Sequence, residues 1–132
     1  MFMLDTDICI YIIRKKPKNV LKHFLRLQPG DLSMSVITYA ELMNGAKKSS
    51  QVEHNVKKLN ELAEMLDIKS FDKKAAIAYG DIRSDLEKSG IIIGSNDLLI
   101  AAHALSLNHI LVTNNEKEFR CVHGLKIENW TK

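Results

Sequence analysis

Residues 2–13 read Phe-Met-Leu-Asp-Thr-Asp-Ile-Cys-Ile-Tyr-Ile-Ile, and this stretch sets the pattern that the rest of the chain repeats. One short apolar run ends at Asp5, and a second apolar run begins at Ile8 and leads into basic residues. The first run has the length of a buried strand, whereas the second continues as a helix. We therefore predict a strand, a turn rich in acidic residues and a helix at the start of the chain.

The same alternation of strand and helix continues outward from this stretch. The sequence pattern predicts further strands over residues 32–37, 68–71, 109–113 and 125–127. It predicts helices with Pro17 in the first turn, over 38–45, over 51–66, from a cap at Asp72 to 88, and over 98–107. Because no two-residue hairpin turn joins two strands, we expect a mostly parallel sheet that is covered on both faces. The predicted fold class is α/β.

The length and composition describe one folded domain over residues 1–132. Hydrophobic residues make up 45% of the chain and charged residues 27%, which excludes a disordered or low-complexity protein. No apolar run approaches the roughly 18 residues that cross a bilayer, so we expect a cytoplasmic protein with no membrane contact. Cys9 and Cys121 lack the C-x-x-C spacing and are predicted to be free thiols.

Oxygen-bearing side chains follow several of the predicted strands. Asp5 ends the first strand, Glu41 follows the second, Asp97 lies near the start of a late helix, and Asn115 follows the strand that ends at Thr113. Ligand sites in open parallel sheets form at the carboxyl ends of the strands. We therefore expect these four side chains to meet at one edge of the sheet.

Helix capping offers an alternative explanation for each acid taken singly. Glu41 stands three residues after Thr38 in a capping-box pattern, in which it returns a hydrogen bond to the cap. Asp97 is favoured by the dipole of a helix that Ser95 or Asn96 caps. The acids after the first strand can cap the next helix in the same way. Capping does not explain why all of these acids fall at the same edge.

Several carboxylates gathered at one edge repel one another unless a cation neutralises them, and hard divalent cations prefer oxygen ligands. Magnesium or manganese is therefore the expected ion. Zinc is disfavoured because the five histidines show no H-x-x-x-H spacing. His103, within the apolar run Ala101–Ala104, is predicted to be a packed histidine instead of a catalytic base. The chain also lacks the glycine-rich phosphate loops and the G-x-S-x-G elbow of other enzyme classes.

The net charge of +3 is small, but the basic residues are unevenly distributed. No acid occurs between Asp7 and Asp31, and this interval holds six basic residues: Arg14, Lys15, Lys16, Lys18, Lys22 and Arg26. Such a cluster suits a phosphate backbone, and a solvated helix face is the alternative explanation.

Four motifs, in their order and spacing, resemble those of the PIN-domain ribonucleases and in particular the VapC-type toxins. They are Met3-Leu4-Asp5-Thr6-Asp7-Ile8, then Ser35-Val36-Ile37-Thr38-Tyr39-Ala40-Glu41-Leu42 with Gly45, then Ile93-Gly94-Ser95-Asn96-Asp97 with Ile100-Ala101-Ala102, and Leu111-Val112-Thr113-Asn114-Asn115 with Glu118-Phe119. The closing Ile127-Glu128-Asn129-Trp130 also resembles the end of these toxins. The resemblance covers nearly the whole chain.

The resemblance implies a three-layer α/β/α sandwich, a site that holds Mg²⁺ or Mn²⁺, and cleavage of RNA. Its core acids correspond by position to Asp5, Glu41 and Asp97, with Asp5 and Asp97 as direct metal ligands. The family often has a fourth acid where this chain has Asn115, so Glu116 or Glu118 is a candidate to compensate. Thr6, Asp7 and Thr113 are expected to orient the ligands by hydrogen bonds.

The resemblance also implies partners. A VapC-type toxin forms a homodimer, is neutralised by a VapB-like antitoxin whose tail covers the active site, and meets promoter DNA only through that antitoxin. The implied substrate is tRNA, cut in the anticodon stem-loop of the initiator, and the segment Arg14–Arg26 is then an RNA or antitoxin contact. Two alternatives stay open at this point: a non-catalytic domain of the same fold that binds RNA or protein, and a structure-specific DNA nuclease.

Overall fold

Five short strands form one sheet at the centre of the computed structural model, which describes residues 1–132. They are β1 (Phe2–Leu4), β2 (Leu32–Ser35), β3 (Asp67–Lys69), β4 (Ile110–Val112) and β5 (Ile127–Glu128). Their order across the sheet is β3-β2-β1-β4-β5, and every neighbouring pair is parallel. Met3 lies opposite both Ser33 and Leu111. The prediction of a mostly parallel sheet is confirmed, and the carboxyl ends of all five strands lie at one edge.

Seven helices cover the two faces of the sheet. They are α1 (Thr6–Arg14), α2 (Lys18–Arg26), α3 (Val36–Lys47), α4 (Val52–Glu64), α5 (Lys73–Lys88), α6 (Ser95–Ser106) and α7 (Glu116–Phe119). Successive strand residues point to opposite faces, so Met3 joins the core beneath α5 and α6, and Leu4 joins the core beneath α1, α2 and α4. The expected α/β/α sandwich is therefore confirmed. No helix combines the length and the apolar character that a membrane crossing requires.

The start of α3 differs from the sequence-based prediction. The β-branched run Val36-Ile37-Thr38 favours strand over residues 32–37, yet β2 ends at Ser35 and α3 begins at the next residue. The Ser35 side chain caps the helix, because its Oγ accepts a hydrogen bond from the backbone N–H of Ile37 at 3.1 Å. The helix also continues past Gly45 to Lys47. A local cap thus outweighs the strand propensity of the residues that follow it.

The remaining differences concern the ends of elements and one short helix. The shifted elements are β3 (Asp67–Lys69 instead of 68–71), β4 (Ile110–Val112 instead of 109–113), β5 (Ile127–Glu128 instead of 125–127), α4 (Val52–Glu64 instead of 51–66), α6 (from Ser95 instead of 98) and α2 (from Lys18, with Pro17 as its cap). Helix α7 is not predicted, because one turn is too short to show an apolar period. Two predictions are confirmed: Asp72 caps α5, and both cysteines are free.

Candidate active site at the carboxyl edge of the sheet

Three predicted site acids come together where the strands end. Asp5 follows β1, Glu41 lies in α3 after β2, and Asp97 lies in the first turn of α6. The charges of Asp5 and Glu41 both act on Asp97 and raise its pKa, so the three side chains share one electrostatic environment. The expectation that acids from distant parts of the sequence meet at this edge is confirmed for these three.

Asp5 is the most buried of the acids, with 4% of its surface exposed. Its Oδ1 accepts a hydrogen bond from the backbone N–H of Thr6, and its Oδ2 accepts one from Oγ1 of Thr113, both at 2.8 Å. The pKa of the Asp5 carboxyl is raised to about 6, chiefly by burial, although the two hydrogen bonds favour the charged form. The charge of exposed Asp7 contributes a smaller part of this rise. Asp5 also caps α1, but capping occupies only one of its oxygens.

Glu41 is not part of a capping box, so that alternative explanation is wrong. Ser35, three residues before Thr38, is the cap of α3, and Glu41 lies well inside the helix. Its Oε1 accepts a hydrogen bond from Oγ1 of Thr6 at 2.7 Å, and its Oε2 accepts one from Nδ2 of Asn96 at 3.1 Å. Glu41 is thus held by residues from α1 and α6 that flank the other two acids.

Asp97 likewise has no capping role. Gly94 occupies the cap position of α6 without any side-chain hydrogen bond, so neither Ser95 nor Asn96 caps the helix as predicted. Burial, and after it the charges of Asp5 and Glu118, raise the pKa of Asp97 to about 7. At the start of a helix the dipole favours the charged form of a carboxyl, so burial and the nearby negative charges together outweigh the helix dipole.

Glu118 lies in α7, three residues after Asn115, which is the position where the chain lacks a fourth acid. Its carboxylate accepts hydrogen bonds from the backbone N–H of Gly94 at 3.0 Å and from Nδ2 of Asn115. It lies close enough to Asp97 to raise the pKa of that side chain. Asn115 is turned toward Glu118, and its backbone N–H donates to Oγ1 of Thr113 at 2.9 Å. Of the two candidates, Glu118 is therefore the one whose charge acts on the site acids.

Glu116, the other candidate for this role, faces away from the site. Its carboxylate bonds to Asn129 at 3.0 Å, to Arg120 at 3.1 Å and to Lys132 at 2.8 Å. The hydrogen bonds from Lys132 and Asn129 lower the pKa of Glu116 to about 2. Glu116 thus holds the C-terminal residues in place and adds no charge to the cluster of acids.

Comparison with known proteins identifies the family. The model of the PIN domain matches residues 2–124. The chain belongs to the PIN-domain family. Among its relatives, Ribonuclease VapC2 of Rickettsia felis is 44% identical, with 100% of this chain and 99% of the relative covered. The tRNA(fMet)-specific endonuclease VapC of Shigella flexneri is 41% identical, with 98% of each covered.

Solved structures of VapC proteins share this PIN-domain fold. The chain superposes on the structure of VapBC2 from Rickettsia felis bound to a promoter DNA fragment with a TM-score of 0.92, at 43% identity and 98% coverage of each chain. It superposes on DNA-bound VapBC from Salmonella typhimurium with a TM-score of 0.93, at 38% identity, with 98% of this chain and 97% of the other covered. The chain is thus a VapC-type PIN domain by both sequence and fold.

The donor atoms of the PIN-domain site suit a hard divalent cation. None of the five ion pairs in the structure includes Asp5, Glu41, Asp97 or Glu118, so no side-chain cation offsets these carboxylates. All available donors are oxygens, which Mg²⁺ and Mn²⁺ prefer. No three His, Cys, Asp and Glu side chains converge as a ready-made metal cluster. The residues therefore suit such an ion by the chemistry of their oxygen donors and not by a preformed arrangement.

The six basic residues predicted as RNA or antitoxin contacts are all exposed, and none forms an ion pair. Arg14, at the end of α1, shares the lining of a cavity of about 380 Å³ with Thr6 and Glu41. The start of the basic segment thus shares one groove with Glu41, and its remaining residues continue along the turn and α2.

The sequence pattern does not reveal the roles of two residues at this site. It indicates Asn96 only as a cap, although Asn96 bonds to Glu41, and it places Ser35 inside a strand, although Ser35 caps α3. The position of Asn96 next to Asp97 is the one sequence signal that points to its contact with Glu41. No local signal identifies Ser35 as the cap of α3, because the strand pattern continues through Ser35.

Proposed function

We propose that this VapC-type PIN domain is an endoribonuclease toxin that hydrolyses phosphodiester bonds of RNA, with tRNA as its substrate. One observation carries the proposal: four carboxylates without a compensating cation share the carboxyl edge of the sheet, where burial and mutual repulsion raise the pKa values of Asp5 and Asp97. The names of the relatives, which include a ribonuclease and a tRNA(fMet)-specific endonuclease, support the same conclusion.

In this proposal Asp5 and Asp97 hold Mg²⁺ or Mn²⁺ directly, and Glu41 completes the group of ligands. A divalent ion lowers the pKa of water, orients the scissile phosphate and offsets the charge that builds up during displacement. The chain's own contribution is to orient the carboxylate oxygens of Asp5 and Glu41 by hydrogen bonds. Thr113 and the Thr6 N–H hold the Asp5 carboxylate, and the Thr6 hydroxyl holds Glu41, so one threonine aligns two acids.

Glu118 takes the place of the fourth acid. The backbone N–H of Gly94 and the side chain of Asn115 both donate hydrogen bonds to Glu118. These bonds hold its carboxylate beside Asp97, although position 115 itself carries no acid. The exposed basic residues of the segment Arg14–Arg26 are proposed to bind the RNA backbone, since none of them forms an ion pair. The groove that Arg14 shares with Glu41 leads from that surface to Glu41.

The proposed regulation is neutralisation by a VapB-like antitoxin, with the toxin acting as a homodimer and meeting promoter DNA only through the antitoxin. Solved VapBC complexes support this assignment, two of them bound to DNA.

The function is tested by mapping 5′ ends of cellular RNA after brief induction of the wild type, Asp97→Asn and Asp81→Asn. Asp81 is an exposed aspartate of α5 outside the site and serves as the matched control. We expect new tRNA ends with the wild type and Asp81→Asn, and none with Asp97→Asn.

Purified protein provides the second arm of this test, with tRNA and branched DNA offered side by side. Full RNA cleavage in excess EDTA would contradict the metal dependence, and preferential cleavage of branched DNA would establish the DNA nuclease instead. If Asp5→Ala lowers the melting temperature and changes no activity, Asp5 is only a helix cap and the site is not catalytic.

A further inference from the structure

Helices α3 and α6 carry Glu41 and Asp97, and two side-chain contacts join these helices. At the site itself, Asn96 donates from Nδ2 to Oε2 of Glu41 at 3.1 Å. About two turns further along α6, Nδ1 of His103 lies 2.7 Å from Oγ of Ser35, the cap of α3. One face of α6 therefore contacts α3 at its start and again at Glu41.

Ser35 Oγ can pair with either tautomer of the His103 ring. It accepts the backbone N–H of Ile37 and keeps one lone pair and its own hydrogen, so it can accept from Nδ1 of His103 or donate to it. The other ring nitrogen, Nε2, is buried without a hydrogen bond of good geometry, and the backbone of Ser70 is the polar group beside the ring. His103 is 1% exposed and Ser35 is fully buried, so water cannot replace this bond if it breaks.

We infer that His103 is a positioning residue of the site: through Ser35 it holds the start of α3 against α6 and so sets where Glu41 stands relative to Asp97. This inference rests on the proposed function. Ser35 is also the last residue of β2, where it pairs with Lys69 of β3, so the sheet holds the start of α3 on that side. The His103 contact adds a connection to α6, the helix that carries Asp97. A movement of the start of α3 away from α6 therefore requires the loss of a buried hydrogen bond.

The molecule contains a matched pair that serves as a control. Nδ1 of His109 lies 3.3 Å from Oγ of Ser33, and both residues are buried. Ser33 belongs to the same strand as Ser35 but lies two residues earlier, opposite Met3 and away from the carboxyl edge. Removal of the His109 side chain should therefore affect stability alone.

The experiment compares purified His103→Leu, His103→Asn, His103→Gln and His109→Leu with the wild type. The measurements are kcat and KM for RNA cleavage, the melting temperature, and the Mg²⁺ concentration that gives half of the Mg²⁺-induced rise in melting temperature. We expect His103→Leu to lower kcat by on the order of 10- to 100-fold with KM unchanged. The half-rise Mg²⁺ concentration should increase by about 10-fold.

His103→Asn should restore most of the kcat, because the asparagine amide can accept or donate a hydrogen bond at the position of Nδ1. His103→Gln places its amide nearer the position of Nε2 and should not restore it. His109→Leu should lower the melting temperature and leave kcat and the Mg²⁺ response unchanged.

The outcomes separate this inference from the function on which it rests. A wild type without Mg²⁺-dependent cleavage overturns the proposed function, and the positioning role with it. A wild type that cleaves RNA, while His103→Leu and His109→Leu lose stability alike and keep kcat, overturns the positioning role alone. If His103→Leu does not fold, equal kcat values for His103→Asn and His103→Gln likewise overturn the positioning role.

Discussion

At the scale of single residues, the partners of a carboxylate decide its role more than its position in the sequence does. Glu116 and Glu118 are two residues apart on one turn of helix, yet they face opposite surroundings. Glu118 accepts hydrogen bonds from Gly94 and Asn115 beside the site acids. Glu116 instead pairs with Arg120 and Lys132 and accepts a hydrogen bond from Asn129. Glu118 is therefore a candidate for a role in catalysis, and Glu116 is a candidate for a role in stability.

This contrast predicts different effects of the same substitution. Glu118→Gln should lower RNA cleavage by about 10-fold or more, as removal of groups that support metal ligands commonly does. Glu116→Gln should leave kcat unchanged and lower the melting temperature, because it weakens the contacts to Arg120 and Lys132. Cleavage assays and thermal melts of both variants check this. Equal activity of the two variants would remove Glu118 from the site.

The buried histidines predict how stability depends on pH. Burial lowers the pKa of both His103 and His109 below the ordinary value of 6.5. Between the folded and unfolded pKa values the unfolded chain binds more protons, so the free energy of unfolding rises with pH through that window. The stability of the histidine pairs should be fully present above about pH 6.5 and decline as the pH falls below it.

The measurement is urea denaturation from pH 5 to 8 in EDTA, comparing the wild type with the double variant His103→Asn/His109→Asn. Asp5 and Asp97 titrate with the opposite sign, but they are common to both proteins and cancel in the difference. The wild type should lose more stability than the double variant on acidification. Parallel curves for the two proteins would show that the pKa values of these histidines are the same in the folded and unfolded states.

At the scale of elements, a helix cap explains where α3 departs from the prediction that residue propensities give. The strand propensity of Val36-Ile37-Thr38 yields to the cap at Ser35, because a satisfied helix start outweighs the weak preference of individual residues. Helix α2 shows the opposite case, since its charge pattern is visible in the sequence. Its lysines are exposed as their spacing suggests, and nothing in the fold neutralises them.

Helix α2 should therefore bind RNA electrostatically. Lys18→Ala/Lys22→Ala should raise KM for RNA several-fold at unchanged kcat. The slope of log affinity against log salt concentration should become shallower by about 0.7 for each single-strand phosphate that the variant no longer neutralises. The control is Lys73→Ala/Lys74→Ala, which removes two exposed lysines from α5. If both double variants bind RNA like the wild type, the basic face of α2 is only solvated.

At the scale of the whole molecule, the fold gathers negative charge at one edge without a cation to offset it. Packing of two apolar cores against one sheet brings Asp5, Glu41 and Asp97 together. The free energy of that burial holds the acids in place despite their repulsion. An ion that binds only the folded protein should consequently stabilise it.

Mg²⁺ should raise the melting temperature of the wild type, with a stabilisation of about 2.7 kcal/mol when the ion reaches 100 times its Kd. In EDTA, Asp97→Asn should melt at the same temperature as the wild type or higher, because it removes one repelling charge, and it should respond little to Mg²⁺. Differential scanning calorimetry with and without the ion measures both effects. An equal Mg²⁺ response in the two proteins would exclude Asp97 as a ligand.

The sequence by itself determined the α/β class, the parallel sheet and the identity of the three central acids. Strand and helix periods are local, and strands joined through helices place their carboxyl ends at one edge whatever the detailed packing. Only the tertiary structure decided that Glu118 rather than Glu116 joins the acids, that Glu41 is held by Thr6 and Asn96, and that His103 pairs with Ser35. Those contacts join residues distant in the chain, and their geometry depends on how whole helices pack, which no local pattern encodes.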